Sequence, residues 1–159
     1  MYMRALTLAD KPAEAVASGI VRALEEAWFD ECVLLTSERT IKEGLEAERL
    51  INDLRSSPWG EAFNLKEVRA QVDLEVWRAH RARSKGGLVF NEVASALSEA
   101  ELAVLTTGSR AATAALTSAA HQLRKPLLYV GFTFGLWNGL YYPFTPRVSQ
   151  FVKWVVGEV

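Results

Sequence analysis

The chain is poor in the residues that build the commonest reactive centres. It has one cysteine, Cys32, two histidines and a net charge of −1 over 159 residues. A single thiol forms no internal disulfide, and its apolar surroundings mark Cys32 as a small buried residue. A reducing, cytoplasmic setting is the matching expectation. His80 and His121 stand 41 positions apart, without metal-ligand spacing. Neither GxxxxGK[ST] nor GxGxxG occurs, so the sequence carries no triphosphatase loop and no dinucleotide fingerprint. Glu43, Glu46 and Glu48 read as a solvated helix face rather than a metal site. No metal and no cofactor is expected. A net charge near zero argues against a general binder of DNA or of anionic membranes. The opening residues, MYMRALTLAD, lack the apolar run and cleavage site of a signal peptide.

Charge is also missing locally. Residues 38–85 carry 19 of the 37 charged side chains, whereas 126–146 carry none. That stretch, PLLYVGFTFGLWNGLYYPFTP, is long enough to raise the membrane question. Asn138, three glycines, two threonines and a proline near its end argue against a spanning helix. The reading is a buried strand followed by an aromatic loop, covered by a partner copy or lying beside a ligand. At 50% hydrophobic and 23% charged, the chain is neither disordered nor low in complexity, and its length suits a single domain over 1–159.

What is present is an alternation of strand and helix patterns. Residues 3–8 read as a strand, and Asp10, Lys11 and Pro12 as a turn. A helix over 13–29 places Val16, Ile20, Val21, Leu24 and Trp28 at helical spacing, with Pro12 in its first turn. ECVLLT, 31–36, is a strand covered on both faces. Ser37 caps a helix over 38–55, with Ile41, Leu45 and Ile51 inward. Val68, Ala70, Val72, Leu74 and Val76 alternate, which favours a strand, although Val68, Val72, Val76 and Ala79 also fit a helix. The preferred reading is a strand over 65–72, which continues the β-α alternation. The basic run Arg78, Arg81, Arg83 and Lys85 is then a solvated loop, or a lid over an anion. A helix over 88–98, a strand over 101–107, an Ala-rich helix over 111–123, a strand over 126–130 and a closing helix over 147–156 complete the order. The expected fold is a three-layer α/β sandwich, with a mainly parallel sheet and helices on both faces.

Ligands in such folds bind at the carboxyl ends of the strands. Three polar turns fall there: Thr7, Ala9, Asp10 and Lys11; Thr36 and Ser37; and Thr107, Gly108, Ser109 and Arg110. The last turn carries the strongest chemistry. Gly108 permits close backbone approach. The following helix offers free N–H groups and a positive dipole end to a phosphate. Arg110 can grip a phosphate with two hydrogen bonds. The competing reading is a capped helix with a solvated arginine. His121 reads as partly exposed and structural, and His80 as a minor candidate for ligand contact. Lys125 lies at the far end of its strand and is discounted.

Leu105-Thr106-Thr107-Gly108-Ser109-Arg110, then Ala119-Ala120 and Leu128-Tyr129-Val130, resembles the CARF domain (CRISPR-associated Rossmann fold). Leu34-Leu35-Thr36-Ser37 sits where that family has its second strand and a ligand-facing turn. The family more often has two glycines in the 107–108 turn; here the first is Thr107. The resemblance implies a Rossmann-like fold and a homodimer that binds cyclic oligoadenylate, usually the four-membered ring, across its two-fold axis. Most such domains carry an effector, for which 131–159 leaves no room. The chain is therefore similar to the stand-alone ring nucleases, which end type III CRISPR antiviral signalling. The implied chemistry is metal-independent attack by a ribose 2′-hydroxyl. Arg110, Lys11 and Lys153 are the expected catalytic residues, with Lys153 on a helix folded back over the site. The other implied reading is a sensor that binds the ring without cutting it.

Overall fold

The computed structural model describes residues 3–27, 29–56, 73–78, 90–132 and 150–157. Among the described residues, ten elements occur in chain order: β1 (Arg4–Leu8), α1 (Ala13–Glu26), β2 (Glu31–Thr36), α2 (Ile41–Ser56), β3 (Asp73–Arg78), α3 (Phe90–Ser98), β4 (Leu102–Leu105), α4 (Arg110–Leu123), β5 (Leu127–Phe132) and β6 (Gln150–Val156). The described strands form one sheet in the order β3-β2-β1-β4-β5-β6. The first five run parallel, and β6 is antiparallel to β5. The fold is a Rossmann-like α/β sandwich.

Strand periodicity divides the core in two. Ala5, Cys32 and Leu34 point to one face, where Val16 and Ile20 of α1 and Ala47 and Ile51 of α2 cover them. Leu6, Leu8, Val33 and Leu35 point to the other, beneath Val93 and Leu97 of α3 and Leu116 of α4. Parallel strands buried on both faces need continuous apolar runs. ECVLLT meets that need at all six positions of β2. The buried residues of α4 are Ala112, Ala115, Leu116, Ala119 and Ala120, so its backbone packs close to the sheet. Gly19 does the same for α1: a Cβ there would overlap the Thr106 side chain.

Three expectations are corrected. The closing helix over 147–156 is instead the strand β6. Its residues alternate between half-buried and exposed, and Val152 and Trp154 reach the core on the α1 side. β-branched and aromatic residues suit such a pleated, half-buried surface. The strand that continues the sheet beyond β2 is Asp73–Arg78, pairing over its whole length, so Arg78 ends a strand rather than opening a loop. The strand expected over 65–72, Arg81, Arg83, Lys85, His80 and the aromatic loop over 132–144 beyond Phe132 lie outside the described residues, as does Trp28. Helix α2 begins three residues later than expected, and Leu45 is 52% exposed. Its inward positions are Gly44, Ala47 and Ile51. Small residues let α2 approach α1, so apolar size alone misreads this face.

The uncharged stretch enters the sheet as β5. No helix among the described residues is long and apolar enough to cross a membrane.

Candidate functional site

Strand order sets the location of the site. Leaving β1, the chain builds outward through β2 to β3, then returns to the other side of β1 as β4. The loops after β1 and β4 therefore diverge to opposite faces, leaving a crevice at the carboxyl ends of the strands. A cleft of about 260 Å³ lies there.

Three turns form its walls. The first, after β1, contributes Leu8, Ala9, Asp10 and Lys11. The Ala9 N–H donates to Leu35 O at 3.1 Å, which ties this turn to the end of β2. The Thr107 hydroxyl donates to Leu8 O at 3.2 Å and accepts from the Asp10 N–H at 3.1 Å. One side chain thus clamps the β1 turn to the β4 turn. The Asp10 carboxylate accepts from the Lys11 N–H at 2.7 Å.

The second turn, after β2, contributes Ser37, Arg39 and Thr40. The Ser37 hydroxyl accepts from the Arg39 N–H at 3.2 Å, and the Thr40 hydroxyl accepts from the Ser37 N–H at 2.9 Å. These local bonds outcompete a helical start. Helical bonding begins only when Thr40 O accepts from the Gly44 N–H, at 3.1 Å. Ser37 is therefore a turn residue rather than the helix cap.

The third turn, after β4, contributes Gly108, Ser109 and Ala112. Gly108 has φ +143°, a conformation that side chains rarely tolerate. A Cβ there would also stand 3.0 Å from Leu8 Cδ1 and 3.2 Å from Thr113 Oγ1. Ser109 is the N-cap of α4, its hydroxyl accepting from the Ala112 N–H at 3.1 Å. The Arg110 and Ala111 N–H groups, in the first turn, have no intrahelical acceptor.

Of the residues assigned to ligand from sequence, Ala9, Asp10, Lys11, Ser37, Gly108 and Ser109 come together in the cleft. Thr7 and Thr36 are buried within their strands, and the Thr7 hydroxyl donates to Val104 O at 2.8 Å. Thr107 is the clamp described above. Arg110 is exposed on the first turn of α4, outside the cleft lining. Lys153 lies mid-strand on β6 opposite Tyr129, three strands from β1, and is not among the lining residues. Arg39 and Thr40 were missed. The run Ser37-Glu38-Arg39-Thr40 holds two hydroxyls that bracket a turn, and that signal could have located them.

Charge partners separate two groups of cations. Arg4, Arg22 and Arg49 are ion-paired. Lys11, Arg39, Lys42 and Arg110 have no carboxylate partner among the described residues. Three of these, Lys11, Arg39 and Lys42, border the cleft or the hollow beside it. The Arg49 guanidinium, hydrogen-bonded to Glu46, holds that carboxyl below its usual range. Burial, reinforced by Glu31, pushes the Cys32 thiol up. Cys32 is thus a neutral core residue rather than a nucleophile. No group of acids, histidines and cysteines suited to a metal occurs among the described residues. His121 is exposed at the far end of α4.

The arrangement suits an anion. It offers unpaired cations, hydroxyl groups and a glycine turn open to close approach. No protein-family model matches this sequence, and no curated protein matches it. The crystal structure of a hypothetical protein, PH0823, is similar at 18% identity and a TM-score of 0.41, over 85% of this chain and 99% of that one. Likeness at that level says nothing of what either protein does.

Proposed function

We propose that this chain is a CARF-like domain that binds cyclic oligoadenylate, most simply the four-membered ring, between two copies of itself and cleaves it. The observation that carries the reading is the cleft at the β1/β4 divergence, walled by the Asp10–Lys11, Ser37–Thr40 and Gly108–Ser109 turns. The motif residues Gly108 and Ser109, on which the family resemblance rests, lie in that wall.

Cyclic tetra-adenylate carries four negative charges. Two-fold symmetry doubles each cation, so one Lys11 and one Arg110 per chain become four around the ring. Arg110, exposed beside the cleft mouth, is then supplied to the shared ligand rather than to its own cleft. Cleavage proceeds by attack of a ribose 2′-hydroxyl on the adjacent phosphorus. The hydroxyl proton passes to solvent, the bond from phosphorus to the 5′-oxygen breaks, that oxygen takes up a proton from solvent, and a 2′,3′-cyclic phosphate remains. Two such cuts give linear di-adenylates. The contribution of the protein is alignment of the attacking oxygen and stabilisation of charge on the phosphoryl oxygens by Lys11 and Arg110. Removal of the messenger would switch off type III CRISPR antiviral signalling.

A specific observation favours a second reading, a sensor that holds the ring intact. The hydroxyls of Ser37, Thr40 and Ser109 are already engaged in their own turns, which makes the cleft a fixed cradle. Incubation of purified protein with a panel of cyclic oligoadenylates in EDTA, followed by chromatography, separates the two. Linear di-adenylate with a 2′,3′-cyclic phosphate supports the nuclease. Tight binding with an intact ring after hours supports the sensor, and absence of binding removes both.

A further inference from the structure

We infer that the hollow on the α2 side of the cleft is a second phosphate subsite, held by Arg39 and Lys42, with Lys11 shared between the two hollows. The inference rests on the adenylate-binding reading above and deepens it: the ligand must carry at least two phosphates.

The geometry is continuous. The adjoining hollow measures about 560 Å³ and is lined by Lys11, Ala13, Arg39, Lys42, Glu43 and Glu46. Lys11 and Arg39 also line the cleft, so the two spaces share a cationic rim. By itself the cleft is smaller than the range of about 300–1,000 Å³ typical of small-ligand pockets; the two together fall inside it. Ala13, the first residue of α1, lines the adjoining hollow beside Lys11.

The charge balance of the hollow is positive. Three cations line it, none with a carboxylate partner among the described residues. Of its two acids, Glu46 is taken up by Arg49, which bonds it through two guanidinium nitrogens. Glu43 alone opposes the three cations. Arg4, Arg22 and Arg49 are matched by acids, whereas three cations without an acid partner among the described residues converge on this one rim, which suits an anionic occupant. The residue types divide the work. A guanidinium grips a phosphate with two parallel hydrogen bonds, whereas an ammonium acts as a point charge. Arg39, common to both spaces, orients the phosphate at their junction, and Lys42 faces the next one.

The test measures the affinity of wild type, Lys42→Ala and Arg39→Ala for three probes: adenosine monophosphate, linear 5′-phosphorylated di-adenylate and cyclic tetra-adenylate. Both side chains are exposed, and thermal unfolding of each variant verifies the fold. Lys42→Ala should weaken the di-adenylate and the ring about tenfold and leave the monophosphate within about twofold, as expected for one lost charge-assisted contact. Arg39→Ala should weaken all three. Di-adenylate binding that is unchanged in both variants overturns the inference. If the ring binds wild type and both variants alike, the subsite falls and the proposed function stands. If the di-adenylate binds through Lys42 and the ring does not bind, the subsite stands and the ring reading falls. Absence of binding by every probe overturns both.

Discussion

Gly108 is where backbone and site depend most visibly on one residue. Its φ of +143° and the nearness of Leu8 and Thr113 leave no place for a side chain. Gly108→Ala should cost about 1–3 kcal/mol, the range for a residue forced into a sparsely populated conformation. It should also lower ligand affinity, because the turn it deforms is a wall of the cleft. Denaturant midpoints and ligand titration read the two effects separately, and an unchanged midpoint would contradict the geometry. Cys32 makes a different prediction. Its folded-state thiol ionises above its ordinary value of 9.0. The unfolded chain therefore loses the proton first as pH rises. Its stabilising contribution is complete below that value and is lost above it, by up to about 1.4 kcal/mol per pH unit. Urea midpoints from neutral to strongly alkaline pH should fall more steeply for wild type than for Cys32→Ala. Identical slopes would contradict this assignment.

At the scale of elements, legibility followed burial. β2 is covered on both faces, so its apolar run is continuous, and its bounds at Glu31 and Thr36 are those expected. α4 was legible because glycine, a capping serine and alanines follow one another. β6 was not: Val152, Lys153 and Trp154 fit a short helix as well as a strand, and the antiparallel pairing with β5 decides between them. The start of α2 was hidden because Ser37 forms a turn where a cap was expected, and that concealed Arg39 and Thr40. Alternation along β6 gives a direct test. Val152 packs on the core whereas Val155 is 49% exposed. Val152→Ser should cost about 1–2 kcal/mol and Val155→Ser under about 0.5. Equal costs, by thermal unfolding, would favour a different packing for the last strand.

For the whole molecule, the β-α alternation was enough to locate the crevice, since a doubly wound sheet places it where strand order reverses. The side chains that enter the crevice were only partly legible. Thr7, Thr36 and Thr107 look like ligand hydroxyls in sequence but are buried at the strand ends, and Thr107 serves as a clamp between turns. Arg110 starts a helix whose inward residue is Ala112, which leaves the arginine outside the single-chain cleft. That position is the one that the proposed ligand, shared by two copies, would require. Calorimetric titration of wild type and Lys11→Ala with cyclic tetra-adenylate tests this most directly. The account predicts one ring per two chains, with affinity reduced at least about tenfold by the loss of a paired charge. One ring per single chain, or an affinity indifferent to Lys11, would contradict it.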